Sequence, residues 1–208
     1  MKKAIGNILI IFGAAILIFV GYSKLKVYME QKKLLDEYEQ LTFEVDAEEV
    51  EAGDTAIKEG DMIGILEIPK IDLEVAVVEG ADKEHIKYAV GHLPGSSSVS
   101  KVGSKGENFV IAGHRSYTYG KFFNRLDELT KGDEVVLKVQ NRVLTFEVAD
   151  KEIVKPTNTE VIKPVKGKAL LTLLTCHPPY SNKERLIVFC ELKSERILDG
   201  REVKRLVN

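Results

Sequence analysis

Three side chains able to do acyl-transfer chemistry stand where strands end or begin. Cys176 closes the apolar, Thr-rich run Thr172-Leu173-Leu174-Thr175, and His177-Pro178-Pro179 stops that run abruptly. A second apolar run, Leu186-Ile187-Val188-Phe189-Cys190, opens with Arg185, nine positions after Cys176. Two short runs joined by a polar turn predict an antiparallel pair, with the start of the second beside the end of the first. Arg185 is therefore expected next to Cys176. His114 follows Phe109-Val110-Ile111-Ala112-Gly113, the same position relative to its strand as Cys176. Cysteine catalysis needs a sulfur nucleophile, a group that gives and takes a proton, and a donor for the oxyanion. Each residue alone has a plainer reading: a small buried hydrophobe, a turn residue, a solvated edge charge. The three together, in these contexts, point to a thiol-based acyl transfer.

The remaining candidates divide by strand parity. His177 adjoins Cys176, and neighbouring residues of a strand face opposite sides, so it is not expected to be the proton partner. His85 falls among charged residues in a predicted helix and reads as a surface residue, while His92 opens a Gly- and Ser-rich loop and its reading stays open. Cys190 lies five residues beyond Arg185, on the other side of the strand and about 16 Å along it. A bridge to Cys176 is excluded at that separation, because bridged Cα atoms lie within about 7 Å. Cys190 is expected to be a buried structural residue.

The elements that must position these groups are legible as short apolar runs. Strands are predicted over residues 63–68, 73–78, 108–112, 135–139, 143–154, 169–176 and 185–192, with short helices over 82–89 and 122–129 and loops over 92–107 and 155–168. Seven or eight short strands with turn punctuation favour a closed β-barrel over alternating β-α-β units. Ahead of them, residues 4–22 are nearly all apolar, with Asn7 the clear polar interruption. Nineteen helical residues rise about 28 Å, close to the bilayer's hydrocarbon thickness. The apolar run exceeds a usual signal-peptide core, and Tyr22-Ser23-Lys24-Leu25 is a poor cleavage site, so an uncleaved anchor is the expectation. Basic residues flank both ends; the short N-terminus with Lys2 and Lys3 favours a cytoplasmic start and an outward-facing remainder. Residues 25–41 read as a solvated helical stalk and 43–59 as a flexible acidic linker. The expected domains are thus 1–23 (cytoplasmic end and anchor), 24–60 (stalk and linker) and 61–208 (extracytoplasmic catalytic domain).

Composition removes other classes. Residues 1–33 hold six Lys against one Glu, leaving 24 basic against 31 acidic groups in the rest, a net of −7. No basic stripe exists to neutralise phosphates, which argues against nucleic acid as a partner. Two cysteines without a CxxC pattern argue against a zinc site or a disulfide framework. No P-loop, HExxH or credible dinucleotide fingerprint is present.

Val110-Ile111-Ala112-Gly113-His114-Arg115, Leu171-Thr172-Leu173-Leu174-Thr175-Cys176 and Arg185 resemble the His, TLxTC and Arg motifs of sortases. The resemblance extends to Ile63-Gly64-Ile65-Leu66-Glu67-Ile68-Pro69-Lys70-Ile71, Gly91-His92-Leu93-Pro94-Gly95 and Tyr119-Gly120-Lys121-Phe122-Phe123, and so covers about residues 60–192. It implies an eight-stranded sortase-type β-barrel behind an N-terminal transmembrane helix, on a Gram-positive cell surface. It implies that Cys176 attacks the Thr carbonyl of an LPxTG-like sorting signal and that His114 protonates the leaving amine and then activates the incoming one. Arg185 would hold the oxyanion or position the substrate, with Thr175, Leu174 and His177 as substrate contacts. The implied partners are sorting-signal peptides of secreted proteins and an amine of the peptidoglycan peptide or its lipid-linked precursor; no cofactor is implied. Residues 34–60 lack the Asp-Pro-aromatic lid of pilus-building members, the 155–168 loop is too short for a large helical insertion, and residues 96–108 hold Glu107 as their one acid, so no calcium site is expected. Class A and class D groups remain, and Cys176-His177-Pro178 leans toward class D. The rivals are a pilin polymerase, a secreted cysteine peptidase and a non-catalytic envelope binding module.

Overall fold

The computed structural model describes residues 2–44, 57–115 and 122–198, with the side chains of the N-terminal helix described over 5–34. Most of the expected acidic linker, Tyr119-Gly120-Lys121 and the last ten residues lie outside that set. Helix α1 runs over Lys2–Glu44. Among the described residues eight strands follow: β1 Met62–Ile68, β2 Leu73–Glu79, β3 Val90–His92, β4 Glu107–Ala112, β5 Glu134–Val139, β6 Arg142–Val154, β7 Ala169–His177 and β8 Glu184–Ile197. They close into a barrel in the order β1-β2-β3-β4-β7-β8-β6-β5. Most neighbours are antiparallel, but β2 with β3 and β4 with β7 run parallel.

Burial explains the sequence pattern strand by strand. In β5, which is covered on one face, buried and more accessible residues alternate. In β1 and β7 the apolar run is almost continuous because both faces are covered. The barrel interior holds Leu66, Phe109, Ile111, Leu137, Leu144, Phe146, Leu171, Leu173 and Val188. Outside β1 and β2, a smaller cluster of Met62, Ile65, Ala76, Val78 and Ala89 receives Leu34 of α1. Outside β7, Thr172 Oγ1 donates to Asn108 Oδ1 at 2.7 Å, and Asn108 Nδ2 donates to the carbonyls of Val161 and Lys163 in the covering loop.

Three local expectations need correction. β3 lies partly in what reads as a loop; its middle residue is Gly91, where a Cβ would stand 2.1 Å from the Gly80 carbonyl oxygen, so only glycine permits the approach. The two short helices are single 3₁₀ turns, His85–Lys87 and Leu126–Glu128. Their apolar spacing reports the burial of Ile86, Phe122, Phe123, Leu126 and Leu129, not an extended helix. The stalk is not wholly solvated either: Val27 and Leu34 pack against the barrel, and Gln31 Nε2 donates to the Tyr88 carbonyl at 3.3 Å. Between α1 and the barrel lies a cavity of about 330 Å³ bordered by Val27, Gln31, Ile71, Leu73, Phe122 and Arg125. By length and composition the helix can cross a membrane over the apolar part of residues 5–34, where its side chains are exposed.

Candidate active site

β7 pairs with β8 so that Cys176 lies directly opposite Arg185, the juxtaposition expected from the short connection. β4 runs parallel to β7, with Ala112 opposite Leu174. Past that pair the Gly113 N–H donates to the Leu174 carbonyl at 3.0 Å, so the two chains keep company as they leave the sheet. Two residues beyond the Ala112–Leu174 pair stand His114 and Cys176. A parallel pair brings both C-terminal strand ends to one rim, which is why two residues 62 positions apart in sequence come to the same edge of the barrel.

Parity sorts the side chains of this wall. Phe109, Ile111, Leu171, Leu173, Leu186, Val188 and Cys190 point into the barrel core. His114, Leu174, Cys176 and Arg185 have the opposite parity and belong to the outer face, where all four are half-buried. His114 titrates below the usual histidine range, first because burial disfavours its imidazolium and second because Lys83 adds positive charge. The Arg185 Nη1 donates to the carbonyls of Asn182 and Glu184, each at 3.0 Å. Those bonds hold the guanidinium to the β7–β8 turn and leave further N–H donors for a ligand.

The other sequence candidates fall elsewhere. Thr175 is 1% exposed, and its Oγ1 donates to the Gly113 carbonyl at 2.8 Å. It clasps β7 to β4 and does not have the open side chain expected of a groove residue. Gly113, on the same level, has no room for a Cβ, which would stand 2.7 Å from the Phe123 ring. His177 is half-buried on the face opposite Cys176, its Nδ1 2.8 Å from Arg115 Nη1. Cys190 is fully buried opposite Leu171, five rungs from the Cys176–Arg185 pair, and burial pushes its thiol strongly up. Both cysteines are free. His92 is buried: Nδ1 meets Glu79 Oε2 at 2.8 Å, Nε2 meets the Ser97 carbonyl at 3.0 Å, and the ring stacks on Phe109. It fastens β3 to its neighbours. Glu59, Asp82 and His85 form an acidic cluster at the surface, and His85 is held there by Asp82.

Arg115 is the residue that sequence reasoning passed over. It is 6% exposed, bonded to His177 on one side and to Asp127 Oδ1 at 2.9 Å on the other. The signal available in the sequence was its place beside His114, matching the place of His177 beside Cys176.

Comparison with known proteins gives a consistent picture. A family model described as the sortase domain matches residues 66–193. Sortase SrtE1 of Streptomyces coelicolor is 27% identical over 210 residues, covering 94% of this chain and 58% of that protein. Sortase D of Bacillus subtilis is 36% identical over 119 residues, covering 57% of this chain and 56% of that protein. The chain thus spans somewhat over half the length of these relatives. Among solved structures, a Sortase D5 transpeptidase of Clostridium perfringens superposes with a TM-score of 0.67 at 27% identity, covering 79% of this chain and 98% of that one.

Proposed function

This chain belongs to the sortase family, and from that premise we propose that it is a membrane-anchored cysteine transpeptidase. It cleaves an LPxTG-like sorting signal after Thr and passes the acyl group to a cell-wall amine. The observation that carries the reading is the register of β4, β7 and β8, in which Cys176 faces Arg185 and His114 follows two residues past the end of the strand alongside.

In this reading the Cys176 thiol proton passes to His114 and Sγ attacks the Thr carbonyl carbon. Charge builds on the carbonyl oxygen, and the Arg185 guanidinium, charged at any working pH and rich in directed N–H donors, stabilises it. His114 gives its proton to the departing amine as the C–N bond breaks, leaving a thioester on Cys176. The acceptor amine then attacks that thioester while His114 takes its proton, the C–S bond breaks, and the Cys176 thiolate is released beside the protonated His114. A thioester divides one hard acyl transfer into two easier ones. The apolar part of helix α1 supplies the anchor of the 1–23 segment, with the domain over 61–208 outside the cell; the apolar, exposed surface of α1 supports this. A thiol, an imidazole and a guanidinium suffice for the scheme.

The test uses the full chain in detergent micelles with a fluorescence-quenched LPxTG-type peptide, with and without an amine acceptor. Cleavage accelerated by amine, a thioacyl adduct on Cys176 by mass spectrometry, and a loss of about 10³-fold or more in Cys176→Ala are expected. Cleavage indifferent to every amine would assign a peptidase. No adduct across a panel of sorting peptides would assign a binding module.

A further inference from the structure

We propose that Arg115 is the positioning residue of this site: bridging Asp127 and His177 behind the reactive wall, it fixes how His114 faces Cys176. The inference rests on the reading of His114 and Cys176 as the reacting pair.

The argument starts from chain geometry. Arg115 directly follows His114, and His177 directly follows Cys176. In extended chain, consecutive side chains leave opposite sides of the backbone, so pinning one constrains the direction of its neighbour. Arg115 Nη1 donates to His177 Nδ1 at 2.8 Å, joining the ends of β4 and β7 across the face opposite Cys176. One level below, Thr175 Oγ1 donates to the Gly113 carbonyl at 2.8 Å. Beyond the Gly113–Leu174 backbone bond, the two strand ends are thus tied twice by side chains, once by a hydroxyl and once by a guanidinium.

The guanidinium is in turn held. Its Nη2 lies 2.9 Å from Asp127 Oδ1, and Asp127 sits in the 3₁₀ turn Leu126–Glu128, whose Leu126 is buried in the core. The Phe123 N–H donates to the His114 carbonyl at 3.2 Å, so the same segment grips His114 from the backbone as well. The side chain of Arg115 is 3% exposed, a costly place for a charge unless its partners are fixed. Because a guanidinium only donates, His177 Nδ1 must accept, which sets its Nε2–H tautomer. Losing this brace would let the imidazole drift against the sulfur, and a misplacement of about 1 Å can cost about 10²-fold in rate.

The experiment compares Arg115→Met, Arg115→Lys, Asp127→Asn, His177→Ala and His177→Asn in the full chain in detergent micelles. Three quantities are read: kcat and KM on the quenched peptide, melting temperature, and the rate of Cys176 alkylation by iodoacetamide across pH. Arg115→Met is expected to lower kcat about 10- to 100-fold with KM within about threefold, and to move the pH profile of alkylation. Asp127→Asn and Arg115→Lys should fall between this variant and the parent. His177→Ala should show a smaller loss in the same direction, and His177→Asn, which restores an acceptor near Nδ1, should recover most of it. A His177→Ala enzyme within twofold of the parent, or variants that lose stability while the alkylation profile stays unchanged, would overturn the proposal. If Arg115→Met does not fold, the His177 pair decides alone. Alkylation needs no sorting peptide, so a parent that ignores such peptides refutes the proposed substrate without deciding the brace.

Discussion

The wall formed by β4, β7 and β8 presents two chemistries on its two faces. Outward stand His114, Cys176 and Arg185, half-buried and with unspent hydrogen-bonding capacity. Inward stand Gly113, Thr175, Leu186 and Cys190, all buried, with the one hydroxyl committed to a carbonyl across the strands. The two cysteines make the contrast sharpest. They occupy adjacent strands and share a side chain, yet Cys190 is walled into the core with its thiol pushed strongly up, while Cys176 stands at a rim beside a guanidinium. A thiol becomes a nucleophile through its thiolate, so in the proposed scheme surroundings decide which cysteine is placed to react. Residue type alone decides nothing here; strand parity decides.

Three substitutions sharpen or break that contrast. The largest effect is expected on the outer face: Arg185→Lys should cost on the order of 10²-fold in kcat/KM, since an ammonium cannot reproduce the planar fork of donors. Near-normal peptide cleavage by this variant would remove Arg185 from the oxyanion role. On the inner face, Cys190→Ala should lower stability by about 1–2 kcal/mol in denaturant titration through a small cavity, with the turnover of the folded enzyme unchanged. A loss of rate without loss of stability would show that the two faces are not independent.

The smallest effect concerns His114. Its neutral form is favoured in the folded state, chiefly by burial and then by Lys83, so the unfolded chain binds the proton more readily. Stability from this group is therefore present above the ordinary histidine value of about 6.5 and is lost as pH falls below it. Lys83→Met should move the titration midpoint of His114 upward, toward that ordinary value, as followed by NMR of the imidazole protons. No movement would leave burial as the sole cause.

The sequence made the reactive rim more legible than the scaffold around it. The opposition of Cys176 and Arg185 follows from one short turn between two apolar runs, a local relation that counting residues captures. The parallel alliance of β4 with β7 is non-local, and only their similar endings, Gly113-His114 and Thr175-Cys176, hinted at it. β3 escaped because three residues around Gly91 carry no periodicity; the strand exists through backbone pairing and close approach. The helical spacing of Phe122, Phe123, Leu126 and Leu129 was real as burial and misleading as a helix, because a loop laid over a core can bury side chains at the same intervals. Arg115 and Asp127 escaped for another reason: apart from the matching places of Arg115 beside His114 and His177 beside Cys176, a brace between a strand end and a 3₁₀ turn leaves no sequence pattern.

The docking of α1 bears on what the rim carrying Cys176 can reach. Val27 stands five residues beyond Tyr22, a rise of about 7.5 Å along a helix, and there it already lines the same cavity as Phe122, whose neighbour Phe123 donates its N–H to the His114 carbonyl. With the anchor proposed above, the reactive rim is leashed close to the bilayer by a stiff rod, without the slack of a flexible cord. Its search for partners then becomes a two-dimensional one. Molecules that share the membrane meet it at high effective concentration, whereas those free in the surrounding medium must first come to the surface.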